Sequence, residues 1–135
     1  MSDSVKRINH VALVVEDLAT ALTFWRDALG LPVGHTESNP AEDVDIAFLP
    51  VGDSEIELLK PTDPESGIGK YLAKKGQGIH HICLEVTDIE ATIQRLTGHG
   101  FEMINETPRI RPDGTRYAFV HPKSAFGVLV ELYEA

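Results

Sequence analysis

An internal repeat constrains this chain more than any other feature. Ile8-Asn9-His10-Val11-Ala12-Leu13-Val14-Val15-Glu16-Asp17-Leu18 is written again, with changes, as Ile79-His80-His81-Ile82-Cys83-Leu84-Glu85-Val86-Thr87-Asp88-Ile89. The offset pairs His10 with His81 and Asp17 with Asp88, both 71 positions apart. Each copy reads as an alternating strand that runs into a helix start. In the first, Val11, Leu13 and Val15 share one face and His10, Ala12 and Val14 the other. In the second, Ile82, Leu84 and Val86 lie opposite His81, Cys83 and Glu85. Asp17 and Asp88 have the side chain and the place of a helix N-cap.

The remaining elements repeat in the same order. Leu18, Leu22, Trp25 and Leu29 fall at helical spacing with Gly30 as the stop, and Ile89, Ile93 and Leu96 follow suit up to Gly100. In the first half, residues 31–38 read as a short strand, 39–43 as a loop, and 45–49 with 54–59 as a hairpin. In the second half, 101–104, 116–120 and 128–132 read as strands and 108–114 as a loop. Between the halves, Ser66 caps a short helix that ends at Gly76 and Gly78. The expected fold is α+β: two βαβββ modules, residues 8–60 and 78–135, joined by a linker and short helix over 61–77. Together they make one domain, a cup-shaped mixed β-sheet with the helices outside.

The bulk numbers exclude several classes. A net charge of −9 argues against a nucleic-acid binder, which meets phosphate with a basic face. No apolar run approaches the roughly 18 residues of a membrane span. Met1-Ser2-Asp3-Ser4-Val5-Lys6-Arg7 leads straight into a strand, which predicts no signal peptide. The one cysteine, Cys83, allows no intrachain disulfide and suits a reducing cytoplasm; on its strand it reads as a small apolar filler.

In both leading strands the aliphatic face is expected to pack on the helix, so His10 and His81 face the concave side of the sheet. The closing strands repeat the pattern. Glu57 lies between Ile56 and Leu58, and Glu131 between Val130 and Leu132, 74 residues apart. Two imidazoles and two carboxylates on four strands suit a divalent first-row metal. A cation would also compensate an ionised glutamate inside an apolar strand, which otherwise costs several kcal/mol. Taken singly, each histidine also reads as a hydrogen-bonded core residue and each glutamate as a solvated edge residue; recurrence in both copies is what favours a metal. His80 falls on the face opposite His81, His35 and His99 read as surface, and His121 sits in the turn His121-Pro122-Lys123-Ser124.

Beyond the repeat and the paired His and Glu, several stretches resemble one family. They are Ile8-Asn9-His10-Val11-Ala12, Ala47-Phe48-Leu49-Pro50-Val51-Gly52-Asp53, Glu57-Leu58-Leu59-Lys60-Pro61, Gly78-Ile79-His80-His81-Ile82, and His121-Pro122-Lys123-Ser124 running into Gly127-Val128-Leu129-Val130-Glu131-Leu132. Together they resemble the vicinal oxygen chelate superfamily and, within it, the methylmalonyl-CoA epimerases.

The resemblance implies metal ligands His10, Glu57, His81 and Glu131, the quartet that the strand faces select. The cofactor it implies is a divalent cation, Co²⁺ ahead of Mn²⁺, Ni²⁺, Mg²⁺ or Zn²⁺. The implied reaction is interconversion of (R)- and (S)-methylmalonyl-CoA by α-proton abstraction, with Glu131 as one acid/base. In part of the family a third-strand glutamate supplies the other; Ile46 stands in that register here, which leaves the adjacent Asp45. Lys123, His121 and Ser124 are implied substrate contacts, and Lys60, Arg109, Arg111 and Arg116 are further cations for an acyl-CoA. The family habit is a homodimer. Two rivals share the fold: a glyoxalase I-type lactoylglutathione lyase with the same ligands, and a metal-free small-molecule binding protein.

Overall fold

The computed structural model describes residues 5–135; the leader reading rests in part on residues 1–4, outside the described residues. The elements in order are β1 (Val5–Val14), α1 (Leu18–Leu22), β2 (His35–Asn39), β3 (Val44–Val51), β4 (Ser54–Pro61), α2 (Gly67–Lys75), β5 (Gly78–Val86), α3 (Ile89–Gly98), β6 (Arg109–Ile110), β7 (Arg116–Val120) and β8 (Val130–Glu134). The chain divides into two compact units, one of residues 5–10 and 81–135, the other Val11–His80. The boundaries fall inside β1 and β5. The fold is α+β, and the βαβββ order recurs in both halves.

In the unit Val11–His80 the strand order is β2-β3-β4-β1. β2 with β3 and β3 with β4 are antiparallel, with Ile46 opposite Leu59 and Phe48 opposite Glu57. Alternation along these strands sends side chains to two faces. Val15, Leu22, Ala47, Leu49 and Leu58 form one cluster, joined by Leu13 of β1 and by Leu18 and Trp25 from the helical side. Ala12, Val44, Ile46 and Leu59 form the other, with Phe48 and Ile68. The Asp17 carboxylate accepts from the Thr20 backbone N–H at 2.9 Å, starting α1. Ser66 accepts from the Gly69 N–H at 3.0 Å, starting α2.

The first helix departs from expectation. After Leu22 the chain widens into a π-helical segment, Thr23–Ala28, with the Leu29 N–H on the Phe24 carbonyl at 2.9 Å. An i→i+5 turn carries more residues than an α-turn, so the periodic stripe drifts. Trp25 stays in the core cluster, whereas Leu29 is 55% exposed. Gly30, at φ +90°, ends the segment, a conformation without steric cost only for glycine.

In the unit of residues 5–10 and 81–135 the order is β1-β5-β8-β7-β6. β5 and β8 are parallel, with Cys83 opposite Glu131; β7 is antiparallel to both β8 and β6. The core joins Val86, Ile89, Ile93, Met103, Ala118, Val120 and Leu132. Thus β5 and β8 turn Val86 and Leu132 to α3 and leave His81 and Glu131 on the opposite face. Asp88 caps α3 by accepting from the Ala91 N–H at 3.0 Å. The expected strand at 101–104 is reduced to a single bridge, Met103 to Val120. The expected loop at 108–114 instead contains β6, a two-residue strand paired with Arg116 and Tyr117. Among the described residues, no helix is long and apolar enough to cross a membrane.

Candidate metal centre

Three donors converge in the unit of residues 5–10 and 81–135. His10 ends that unit's part of β1, His81 lies on β5 and Glu131 on β8. All three are buried, Glu131 to 2% exposure. His10 Nε2 is 3.2 Å from His81 Nε2. Glu131 Oε1 stands 3.1 Å from His81 Nε2 and 3.5 Å from His10 Nε2. Their ligand atoms form the one cluster among the described residues with the make-up of a metal site.

The tautomer of His10 bears on the chemistry. Its Nδ1 is 2.8 Å from Asn9 Oδ1, an acceptor, so Nδ1 carries the proton and the Nε2 lone pair points to the other two donors. The His10 lone pair and the carboxylate oxygen 3.5 Å away are both electron-pair donors that one cation could share. The edges fit one. Two donors each about 2.1 Å from a shared ion, and 3.1–3.5 Å apart, subtend about 95–113°, between octahedral and tetrahedral angles. Two nitrogens and one carboxylate oxygen suit a first-row divalent cation.

Glu131 is the electrostatic centre of the group. Burial pushes its carboxyl up; in the metal-free protein, protons on the imidazole nitrogens that face Oε1 outweigh this and hold it well below the usual carboxylate range, and a cation there would replace them. Its second oxygen accepts from Arg111 Nη2 at 2.9 Å. The Arg111 guanidinium lies 3.9 Å from the centre of the Tyr117 ring, and Phe119 packs edge-on to His81.

Asn9 also donates through Nδ2 to Glu85 Oε1 at 3.3 Å. Glu85, 4% exposed, is paired with Arg7 at 2.9 Å and Lys6 at 3.5 Å. Asn9, Glu85 and the Arg111–Glu131 pair were not read from the sequence as parts of the centre. The available signals were that Glu85 shares the face of His81 in strand alternation and that Asn9 adjoins His10.

The other site residues fall as follows. Glu57 is in the unit Val11–His80, half-buried on β4 opposite Phe48. Asp45, in the same unit, lies on the face of β3 opposite Ile46 and Phe48, and accepts from Ser38 Oγ at 2.8 Å. The His121–Ser124 turn is tightly bonded. His121 Nδ1 accepts from the Lys123 N–H at 3.1 Å and Ser124 Oγ from the Glu102 N–H at 2.7 Å, while the Lys123 side chain is exposed. Arg116 is engaged by Glu134 and Glu90.

Twin βαβββ halves with a His–His–carboxylate centre define a class of protein. Residues 9–119 match the family model of the glyoxalase/bleomycin resistance protein/dioxygenase superfamily. Among relatives, the ethylmalonyl-CoA/methylmalonyl-CoA epimerase of Cereibacter sphaeroides is 40% identical over 130 residues, 95% of this chain and 97% of that one. The mitochondrial methylmalonyl-CoA epimerase of Mus musculus is 38% identical over 130 residues, 96% of this chain and 73% of that one. A solved structure of the Streptomyces coelicolor methylmalonyl-CoA epimerase with 2-nitronate-propionyl-CoA is 36% identical at a TM-score of 0.84, covering 98% of this chain and 96% of that one. The chain belongs to this superfamily and, within it, to the methylmalonyl-CoA epimerase family.

Proposed function

We propose that the protein is a divalent-metal-dependent epimerase that interconverts (R)- and (S)-methylmalonyl-CoA. The observation that carries this reading is the convergence of His10 Nε2, His81 Nε2 and Glu131 Oε1 in a chain of epimerase ancestry. In this reading His10, His81 and Glu131 hold the cation, and Glu57 is a fourth donor on the strength of the family resemblance. Co²⁺ is the first candidate, ahead of Mn²⁺, Ni²⁺, Mg²⁺ and Zn²⁺, which the same donors accept.

The cation supplies a Lewis acid that stabilises negative charge developing on the thioester oxygen. The chain's own groups do the rest. His10 presents its Nε2 lone pair, kept in that tautomer by Asn9, and His81 Nε2 faces the same point. Arg111 holds Glu131 Oε2, so Oε1 is the oxygen turned to the site. Arg111 also offsets the negative charge of Glu131, which leaves a dication short of counter-charge and favours an anionic substrate such as a malonyl half-thioester. Glu131 takes or returns the α-proton at a carboxylate oxygen. An α-proton beside a thioester is weakly acidic, so its removal by a carboxylate is helped by the enolate stabilisation that the cation would supply. Inversion needs a second proton carrier on the opposite side of that carbon; Asp45, turned away from the face of Glu57, is not given this part. Lys123, His121 and Ser124 are assigned to the acyl-CoA through their exposed turn.

We take the chain as a single domain that works as a homodimer, following the family habit, and place it in the cytoplasm, where its lone, buried Cys83 stays reduced. The test is a substrate comparison. Metal-loaded protein is given methylmalonyl-CoA in one arm and the glutathione–methylglyoxal hemithioacetal in another. Epimerisation in the first arm alone supports the proposal; lyase turnover in the second transfers the site to glyoxalase I-type chemistry.

A further inference from the structure

We propose that Glu85 and Asn9 are positioning residues that fix the His10 tautomer, so that a metal ion meets a lone pair there and not an N–H. The inference rests on the metal reading above and extends it to residues outside the donor set.

An asparagine amide facing an imidazole is ambiguous. With Oδ1 turned to His10 Nδ1, the ring keeps its proton on Nδ1 and offers Nε2 as a ligand. With the amide reversed, Nδ2–H would point at Nδ1, the proton would move to Nε2, and ligation would be blocked. Glu85 resolves the ambiguity. A carboxylate only accepts, so Asn9 must turn Nδ2 to Glu85 Oε1, at 3.3 Å, and Oδ1 to His10 Nδ1, at 2.8 Å. Glu85 is in turn held by Arg7, whose Nε and Nη2 lie 3.0 and 2.9 Å from Oε1, and by Lys6 Nζ, 3.5 Å from Oε2. Its 4% exposure keeps water from competing for these bonds. The relay thus runs from two cations through a buried carboxylate and one amide to a ligand ring. Such supports around a ligand are typically worth about 10–100-fold in metal affinity.

The test uses Co²⁺ affinity of the full chain, measured by chelator competition, with no substrate present. Glu85→Leu removes the acceptor that fixes Asn9, so both orientations of Asn9 become allowed; Co²⁺ affinity is expected to fall about 10–100-fold. Adding Asn9→Asp restores an accept-only group against His10 Nδ1–H. The double variant is expected to recover most of that loss, which a merely space-filling role for Glu85 would not produce. Nitrogen NMR of the wild type loaded with Zn²⁺ should place the His10 proton on Nδ1, a readout that needs no variant to fold. Unchanged Co²⁺ affinity in Glu85→Leu, no recovery in the double variant, or a proton on Nε2 would each overturn the proposal. A wild type that binds Co²⁺ tightly through this relay but does not turn over methylmalonyl-CoA would overturn only the activity reading.

Discussion

Glu131→Gln tests how the centre is held, because the structure predicts which way the new amide turns. The wild-type carboxylate is 2% exposed, with Oε2 on Arg111 at 2.9 Å and Oε1 facing His81 and His10 at 3.1 and 3.5 Å. An amide has one accepting end and one donating end. Arg111 only donates, so it takes the carbonyl and turns the NH₂ onto the two imidazole nitrogens, which can accept. Most hydrogen bonding survives, and a charge-assisted bond becomes a neutral one. The stability cost in metal-free protein should be about 1–2 kcal/mol, not the 3–5 kcal/mol typical of a broken buried ion pair. Metal binding should suffer far more, because N–H now points where a lone pair is needed. We expect Co²⁺ affinity to fall by well over the roughly 100-fold upper range for lost outer support. Adding Arg111→Leu frees the amide to turn its carbonyl to the site and should recover about tenfold, or about 1.4 kcal/mol. Chelator competition reads the affinities, and thermal melting of metal-free protein reads stability. A single variant within tenfold of wild type, or a double variant no tighter than the single, would refute the claim that Arg111 sets the carboxylate's orientation.

Two further outcomes follow from the packing and charge. Burial pushes the Glu85 carboxyl up, but the Asn9 hydrogen bond and the nearby Arg7 and Lys6 outweigh it and leave it below its ordinary value. Its stabilisation is therefore full above the unfolded value near pH 4.3 and lost as pH falls through the folded value. In urea denaturation the stability margin of wild type over Glu85→Gln should be constant above about pH 5 and narrow below about pH 4; a margin that grows with acid would contradict the pairing. Gly69→Ala should strain the start of α2, since a Cβ there would meet the Asp63 carbonyl oxygen and lie 2.8 Å from the Pro64 backbone. Overpacking of this kind costs about 1–3 kcal/mol and should lower Tm by roughly 4–12 °C; an unchanged melt would show that the segment gives way freely.

Much of this was legible in the sequence because two simple periods agree. Strand alternation put His81 and Glu131 opposite the aliphatic residues that face α3, and the 71-residue offset singled out His10 as the counterpart of His81. What escaped depends on neighbours brought together from distant parts of the chain. Asn9 and Glu85 are 76 residues apart, and nothing local says that one orients the other. Arg111 read as one of several scattered cations; it meets Glu131 because β6 and β7 pair and Tyr117 carries its guanidinium. Helical spacing carried Leu29 into the first helix, but periodicity does not register an i→i+5 turn. At 101–104 only Met103 pairs with β7, so alternating hydrophobicity overstated a strand that a single bridge replaces.

The central claim is metal-dependent proton chemistry at an α-carbon, and α-proton exchange tests it most directly. One epimer of methylmalonyl-CoA is incubated in D₂O with Co²⁺-loaded protein, beside chelator-treated protein and the His81→Ala variant. Deuterium at the α-carbon and loss of optical purity are expected in the loaded wild type alone. Equal exchange in the chelator-treated sample, or undiminished exchange in His81→Ala, would contradict the claim.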